Sequence, residues 1–306
     1  QRGRMLKLQS ALPELALIPE RLVLREAVGQ PYELTLDCLS TSRHFELKQL
    51  IGEQLTVSLL QSDGSYAPWH GYVFEAAQLG ADGGLARYRL VMRPWLSFLE
   101  QRQDSFIYQD QTAAQIVEAL FADHPSANFE LRITEPLRKR SLCVQYDETD
   151  LAFVLRLLAE EGLSLRFEQL SGEAAEAADK AKQARHKLIV SDRTSEPTSR
   201  PDLGTLRFAA QHVTAKTLGQ KDSITAFEAA RRIGTNAVAL GSWDYKQLAG
   251  TSAQASSALE QGELPALEHY DGAGAYRHEN AAQAQRAAEL ALAANELDFK
   301  RFTGQG

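Results

Sequence analysis

Between residues 144 and 168, "VQYDETDLAFVLRLLAEEGLSLRFE", the spacing of apolar side chains switches from helical to strand-like, and this constrains the local fold more than any other stretch. Leu151, Val154, Leu155 and Leu158 fall at i, i+3, i+4 and i+7, one apolar stripe on a helix. Thr149 or Asp147 can supply the N-cap oxygen, and Asp147, Glu148 and Asp150 lie where the positive end of the helix dipole favours them. Gly162 stands where a left-handed residue ends a helix. Beyond it Leu163, Leu165 and Phe167 alternate with Ser164, Arg166 and Glu168, as in a half-buried strand. The predicted order is strand, helix, strand.

The same stretch raises a chemical question, because Asp147, Glu148, Asp150, Glu160 and Glu161 could include an acid/base pair. The first three are explained by a helix start. Glu160 and Glu161 stand at the unfavourable end of the dipole, though Glu160 can pair with Arg156 four residues back. Asp147, Glu148 and Asp150 are read as helix-start residues and Glu160 and Glu161 as solvated or subunit-facing charges, and the expectation is that none is catalytic.

The first hundred residues read as β-structure. "RLVLREA" and "YELTLDCLS" are strands joined around Gly29 and Pro31, and "ELKQLIG" is one or two helical turns. "EQLTVSLLQ" alternates and is followed by the turn "SDGS". A hairpin spans "WHGYVFEAAQLGADGGLARYRLVMRPW", with Asp82-Gly83 at its tip. In its return strand Tyr88, Leu90 and Met92 share one face, and Arg87, Arg89 and Arg93 share the other with Val91. Short strands separated by glycine turns predict a barrel or sandwich. Residues 100–170 differ: "FIYQD", "FELRI" and "SLCVQY" are strands, and "QTAAQIVEALFADH" is a helix capped by Thr112 with Ile116, Val117 and Leu120 inward. This is an α/β insertion with two helices.

"SGEAAEAADKAKQARHK" (171–187) reads as a surface loop or marginal helix. Strands resume in "KLIVSD", "GTLRFAA", "SITAFEAARRIGTNAVALGSWDYKQ" and "LPALEHYD", with "GTSAQASSALEQGEL" as a loop. "HENAAQAQRAAELALAANELDF" is a long helix whose Ala281, Ala284, Ala288 and Ala291 form a small-residue stripe suited to close packing. No repeat of 20–50 residues is visible.

A chain of 306 residues, 44% hydrophobic and 24% charged, has the composition of an ordinary globular protein with room for two domains. A net charge of −7 argues against nucleic-acid binding. No apolar run reaches the ~18 residues of a membrane-spanning helix. Pro13, Glu14, Pro19 and Glu20 interrupt any signal peptide, and Gln1 marks the chain as an expected fragment. Two cysteines are too few for a disulfide scaffold, and Cys38 extends the apolar face of Leu34 and Leu36. A reducing compartment of synthesis fits.

Catalytic, cofactor and metal motifs are missing from the sequence. The histidines (44, 70, 124, 186, 212, 269, 278) are scattered, and no zinc spacing, P-loop, dinucleotide fingerprint or nucleophile elbow occurs. "DGAGAY" (271–276) reads as a loop. Trp69, Trp95 and Trp243 fit core-edge packing better than sugar stacking, and the arginines at 87–93 fit a solvated face better than an acidic partner. No catalytic residue, cofactor site or metal site is assigned, and the protein is expected not to be an enzyme.

The ordered series "FELKQLIGEQLTVSL", "RPWLSFL", "FIYQDQTAAQIVEAL", "VQYDETDLAFVLRLLAEEG", "GSWDYKQ", "LEHYDGAGAY" and "FTGQG" resembles the N-terminal hub region of VgrG spike proteins of the bacterial type VI secretion system, themselves similar to contractile phage tail hubs. The resemblance runs from about Leu22 to Gly306. It implies a β-rich α+β fold: a first barrel-like hub domain at 1–99, an α/β insertion at 100–170, a linker at 171–200, and at 201–306 the strands and C-terminal helix of an incomplete second hub domain. It further implies a homotrimer whose paired barrels seat on the hexameric tube protein Hcp. A PAAR tip protein and effectors would ride on a C-terminal part beyond this chain, where an OB-fold and a β-helical needle follow in the family. The spike would assemble in the bacterial cytoplasm, leave through the type VI machine without a signal peptide, and meet membranes only by puncture.

Three other readings stay open: a contractile phage tail baseplate hub, a carbohydrate-active β-enzyme using paired carboxylates ~5–10 Å apart, and a β-rich adhesin or binding module.

Overall fold

The computed structural model describes residues 4–13, 15–61, 63–192, 207–208, 223–245, 248–275 and 277–305. The chain divides into two units, Gln1–Pro197 and Thr198–Gly306.

The first unit is built on a six-stranded antiparallel sheet. In chain order its strands are β1 (Leu6–Gln9), β2 (Ile18–Arg25), β3 (Glu33–Ser40), β4 (Gln54–Leu60), β5 (Tyr66–Asp82) and β6 (Leu85–Arg93), and in space they run β1-β4-β5-β6-β3-β2. The edge strands β1 and β2 return into contact, so the sheet curls into a barrel-like form. Register shifts in β5 at Val73/Glu75 and Gln78/Gly80 are bulges, which bend a strand and increase its twist. The hairpin turns through Gly83 and Gly84, both at positive φ, as a two-residue type I′ turn requires, so its tip lies one residue beyond Asp82-Gly83. Alternation places Leu34, Leu36 and Cys38 of β3 against Tyr88, Leu90 and Met92 of β6, all fully buried. Burial pushes the Cys38 thiol up to about 12, the mark of a core residue. The outward arginines are held within the chain: Arg89 by Asp37, Arg93 by Glu33 and Glu100, and Arg87 by Glu20.

A second core follows. Trp95, Leu96 and Leu99 of a 3-10 segment (Trp95–Gln101) pack with helices α1 (Ala113–Ala122) and α2 (Asp150–Glu160). Around them lie β7 (Gln103–Tyr108), the short β8 (Gln111–Thr112), β9 (Phe129–Arg132), β10 (Lys139–Arg140), β11 (Cys143–Thr149), β12 (Ser164–Gln169) and β13 (His186–Ser191). β7 pairs with β11 and β8 with β10, while β13 lies between an antiparallel β12 and a parallel β9. Phe167 packs against both cores.

The stretch expected to be a linker is different. Residues Gly172–Lys180 form helix α3, and β13 completes the small sheet, so regular structure of the first unit runs on to Ser191. The weak helix signal reflects a narrow contact, since Ala178 is the one buried side chain of α3.

In the second unit β14 (Arg207–Phe208) pairs with β15 (Ser223–Ile224), and β16 (Ala226–Arg231) with β20 (Lys300–Gln305). β17 (Ala237–Asp244) lies between antiparallel β18 (Ala249–Ser256) and parallel β19 (Glu268–Ala275). Helix α4 (Ala281–Glu296) packs Ala284, Ala288 and Leu292 on Val238, Leu240, Ala253 and Ala255. Of the predicted alanine stripe, Ala284 and Ala288 are buried, Ala291 is half-buried and Ala281 is exposed.

Two expected loops are strands here. Residues 249–256 form β18, whose inward residues are alanines: too weakly apolar to signal a strand, small enough to let α4 approach. "DGAGA" lies in β19, where the Tyr270 ring lies over Gly241 and Gly272 and covers backbone that those residues leave bare. Of the expected strand "GTLRFAA", only Arg207 and Phe208 fall within the described residues.

Candidate functional site

Helix α2 starts as its sequence requires. Thr149 takes the N-cap, its hydroxyl accepting from Ala152 N–H at 3.1 Å. Asp147 sits instead in a β-bulge at φ 50°, a left-handed conformation that Asp tolerates better than most residues. Gly162 follows the helix at φ 68°. Val154 and Leu158 of the predicted stripe are fully inward, together with Phe153 and Leu157, while Leu151 and Leu155 flank the buried face.

The carboxylates are where the sequence reading needs correction. Glu161 is not solvated. It is buried and lies 2.6 Å from Arg140 and 3.4 Å from Arg138. Glu160 bridges Arg140 at 2.5 Å and Arg156 at 3.3 Å, the latter being the expected i, i+4 pair. Arg156 also holds Glu148 and donates to the Val144 carbonyl at 3.0 Å. Burial pulls the Arg140 guanidinium down, but the hydrogen bonds and the charges of Glu161 and Glu160 together outweigh that and the net shift is upward. The physical reason for the arrangement is the dipole: acids at a helix C-terminus are unfavourable, and cations brought from β10 compensate them.

A second cluster binds the helix starts and ends together. Asp150, fully buried, accepts from the Gln145 amide at 2.7 Å and contacts Arg102 Nε at 2.5 Å, an ionic contact without hydrogen-bond alignment. Arg102 also reaches Asp123 at the end of α1 at 2.8 Å, and this bond to Asp123 raises its guanidinium further. Thus one arginine joins both helices, and the Arg138–Arg140–Arg156 set joins α2 to β10 and β11. Sequence reasoning missed Arg102, Arg138, Arg140 and Gln145, and nothing in "EPLRKRS" marks its arginines as buried partners.

The histidines divide similarly. His186 is fully buried, and its Nε2 accepts from the Trp95 backbone N–H at 2.9 Å. Burial, with His70 as a minor contributor, holds its imidazole down to about 3. His70 is lowered by burial too; its Nε2 meets the Leu170 carbonyl at 2.7 Å and its Nδ1 meets Thr56 Oγ1 at 2.8 Å. The first contact fastens β5 to the end of β12 and the second ties it to β4. His212 lies outside the described residues. Trp95 is core, Trp69 lies edge-on to Tyr32, and Trp243 is half exposed. Among the described residues no group of three His, Cys, Asp or Glu side chains is placed to hold a metal ion. The arrangement clamps elements together: Glu148, Asp150, Glu160 and Glu161 are engaged by arginines, Asp147 accepts from the Gln103 amide at 2.6 Å, and His70 and His186 are held by backbone and a hydroxyl.

The sequence profile of the phage tail baseplate hub family (GPD) matches residues 25–306. The chain belongs to this family. Among curated hub relatives, it is 27% identical to the type VI secretion system spike protein VgrG1b of Pseudomonas aeruginosa over 247 residues, covering 81% of this chain and 31% of the relative. To VgrG4b of the same organism it is 37% identical over 147 residues, covering 46% and 18%. The chain spans about a third of the length of the first relatives, VgrG1b and VgrG1a, covering 31% and 36% of them. Two solved structures share the hub fold. The E. coli c3393 protein, a component of the type VI secretion system with similarity to T4 tail proteins gp27 and gp5, superposes with a TM-score of 0.57 at 20% identity, covering 74% of this chain and 56% of that one. The 43 kDa tail protein of prophage MuSo2 from Shewanella oneidensis gives 0.59 at 12% identity, covering 98% and 81%. The expected β-rich, tail hub-like architecture is the one observed.

Proposed function

We propose that this chain is the hub region of a type VI secretion spike: a homotrimer seated on the hexameric tube and part of the device that punctures a target cell and delivers effectors. What carries the reading is the match of the hub family over residues 25–306 together with identity to spike proteins across four-fifths of the chain. The barrel-like sheet with its α/β insertion is the first hub domain, and the second unit belongs to the other. Two comparable surfaces per chain let a threefold object seat on a sixfold ring. The work is mechanical: a rigid hub transmits sheath contraction to the tip. The tip protein and effectors attach elsewhere in the spike, which is assembled in the cytoplasm and then secreted by the machine. No helix among the described residues is long and apolar enough to cross a membrane.

No catalytic role is assigned. Arginine-locked carboxylates hold the insertion together, and Glu148→Ala or Glu161→Ala should remove no hydrolytic activity toward glycans or peptides; turnover abolished by either change would refute the structural reading. Native mass by light scattering, on this chain and on one extended through the OB-fold and needle, tests the assembly. A trimer in the extended chain is expected, and a clean monomer overturns the hub proposal. The match to the phage tail baseplate hub family favours one second reading, a phage baseplate hub. Neighbouring genes separate the two: sheath, tube and ATPase genes against capsid and terminase genes.

A further inference from the structure

Each unit carries a two-stranded ribbon with an exposed apolar face. In the first unit Ile107 of β7 lies directly opposite Val144 of β11, and Leu142 and Tyr146 flank Val144 at two-residue spacing. These four are 58%, 39%, 58% and 79% exposed. The same ribbon and its ends carry Asp104, Asp110 and Asp147, all exposed, and none forms an ion pair with a described residue. In the second unit every residue of β20 and five of the six in β16 are exposed. Phe227 and Phe302 stack there at 5.6 Å, and Arg231 stands directly across from Lys300, with Arg232 next in the chain.

Both ribbons are incomplete. The β7–β11 ribbon rests on the second core through Cys143 and Tyr108 and leaves its other face bare, whereas β16–β20 is a two-stranded ribbon, marginal in water by itself; an apolar patch with a charged rim is the signature of an interface. The Arg231/Lys300 pair sharpens this, since like charges directly opposed across strands are destabilising unless an acid covers them. One rim is acidic, and the other, with Arg231, Arg232 and Lys300 beside Glu228 and an Arg301–Asp298 pair, is net basic, so the two faces complement each other in charge.

We propose that the β7–β11 ribbon of one copy docks on the β16–β20 ribbon of the next, and that this contact joins the subunits of the hub. A contact between unlike faces is heterologous, and such contacts generate closed rings when the rotation closes. The inference rests on the hub reading, which supplies the ring.

Differently tagged chains test it, one carrying Ile107→Cys and the other Phe302→Cys, co-expressed and oxidised. The expected result is a disulfide-linked pair containing both tags, absent when either variant is oxidised alone. An oligomer by light scattering that forms without this cross-link overturns the ribbon contact and leaves the hub reading standing. A monomer overturns the ribbon contact, and the hub reading falls with it only if the chain extended through the OB-fold and needle is a monomer as well. A cross-link that forms only with both cysteines in one chain, running as a monomer, also overturns the proposal. Independently, Arg231→Glu with Lys300→Glu should lower the native mass while the far-ultraviolet circular dichroism is kept; an unchanged native mass would show that charge does not select this face.

Discussion

The guanidinium of Arg140 meets the carboxylate of Glu161 at 2.6 Å, with side chains only 8% and 7% exposed. A buried pair is strongly destabilised by losing one partner, because the other charge is left uncompensated. Here Arg140 keeps Glu160 as its remaining partner, so Glu161→Ala should cost about 1–3 kcal/mol in denaturant unfolding, less than the ~3–5 of a buried charge stripped of every partner. The double change Arg140→Met, Glu161→Leu should recover most of that loss. A single change costing under about 1 kcal/mol would place this pair with ordinary surface salt bridges.

Glycine positions in the second unit should respond unequally. A Cβ at Gly234 would stand 2.5 Å from Cε1 of Phe299, a ring 4% exposed with no room to retreat. At Gly241 it would stand 2.8 Å from the Tyr270 hydroxyl, the far end of an exposed side chain. Gly234→Ala should cost about 1–3 kcal/mol and Gly241→Ala clearly less, as thermal unfolding would read.

Acid should loosen the first unit before the carboxylates titrate. His186 has a folded-state value of about 3, below its ordinary 6.5, and His70 is lowered in the same direction by burial. Above pH 6.5 both states are neutral and stability is independent of these groups. As pH falls toward 3 the unfolded chain binds protons that the folded one refuses, so stability drops. His186→Gln keeps an acceptor for the Trp95 N–H and cannot titrate. Its stability should fall less between pH 6.5 and 4.5 than that of the wild type; equal slopes would exclude His186 as the source.

Helix caps offer a graded test. Thr112 and Gln115 of α1 form a reciprocal capping box, and Thr149 caps α2, whereas Ser171 makes no side-chain cap bond at α3. Thr112→Ala and Thr149→Ala should each cost about 1 kcal/mol. Ser171→Ala should fall within a few tenths, measured by the same denaturant midpoint.

The sequence by itself determined the elements whose signal is local. Period-two alternation set the inward faces of β3 and β6, Thr112 and Thr149 set helix starts, Gly162 set a helix end, and the ordered motifs pointed to the hub family. Only the tertiary structure decided what depends on distant partners. Glu161 is a buried ion rather than a solvated one because Arg140, 21 residues earlier, is brought against it by strand pairing. His186 is core because Tyr32, Tyr72 and Phe167 from other strands close around it. Residues 249–256 and 272–275 are strand because α4 and the Tyr270 ring supply the cover that alanine and glycine cannot. Caps and alternation act over a few residues and can be read from neighbours, whereas desolvation and charge pairing are set by whatever the fold places alongside.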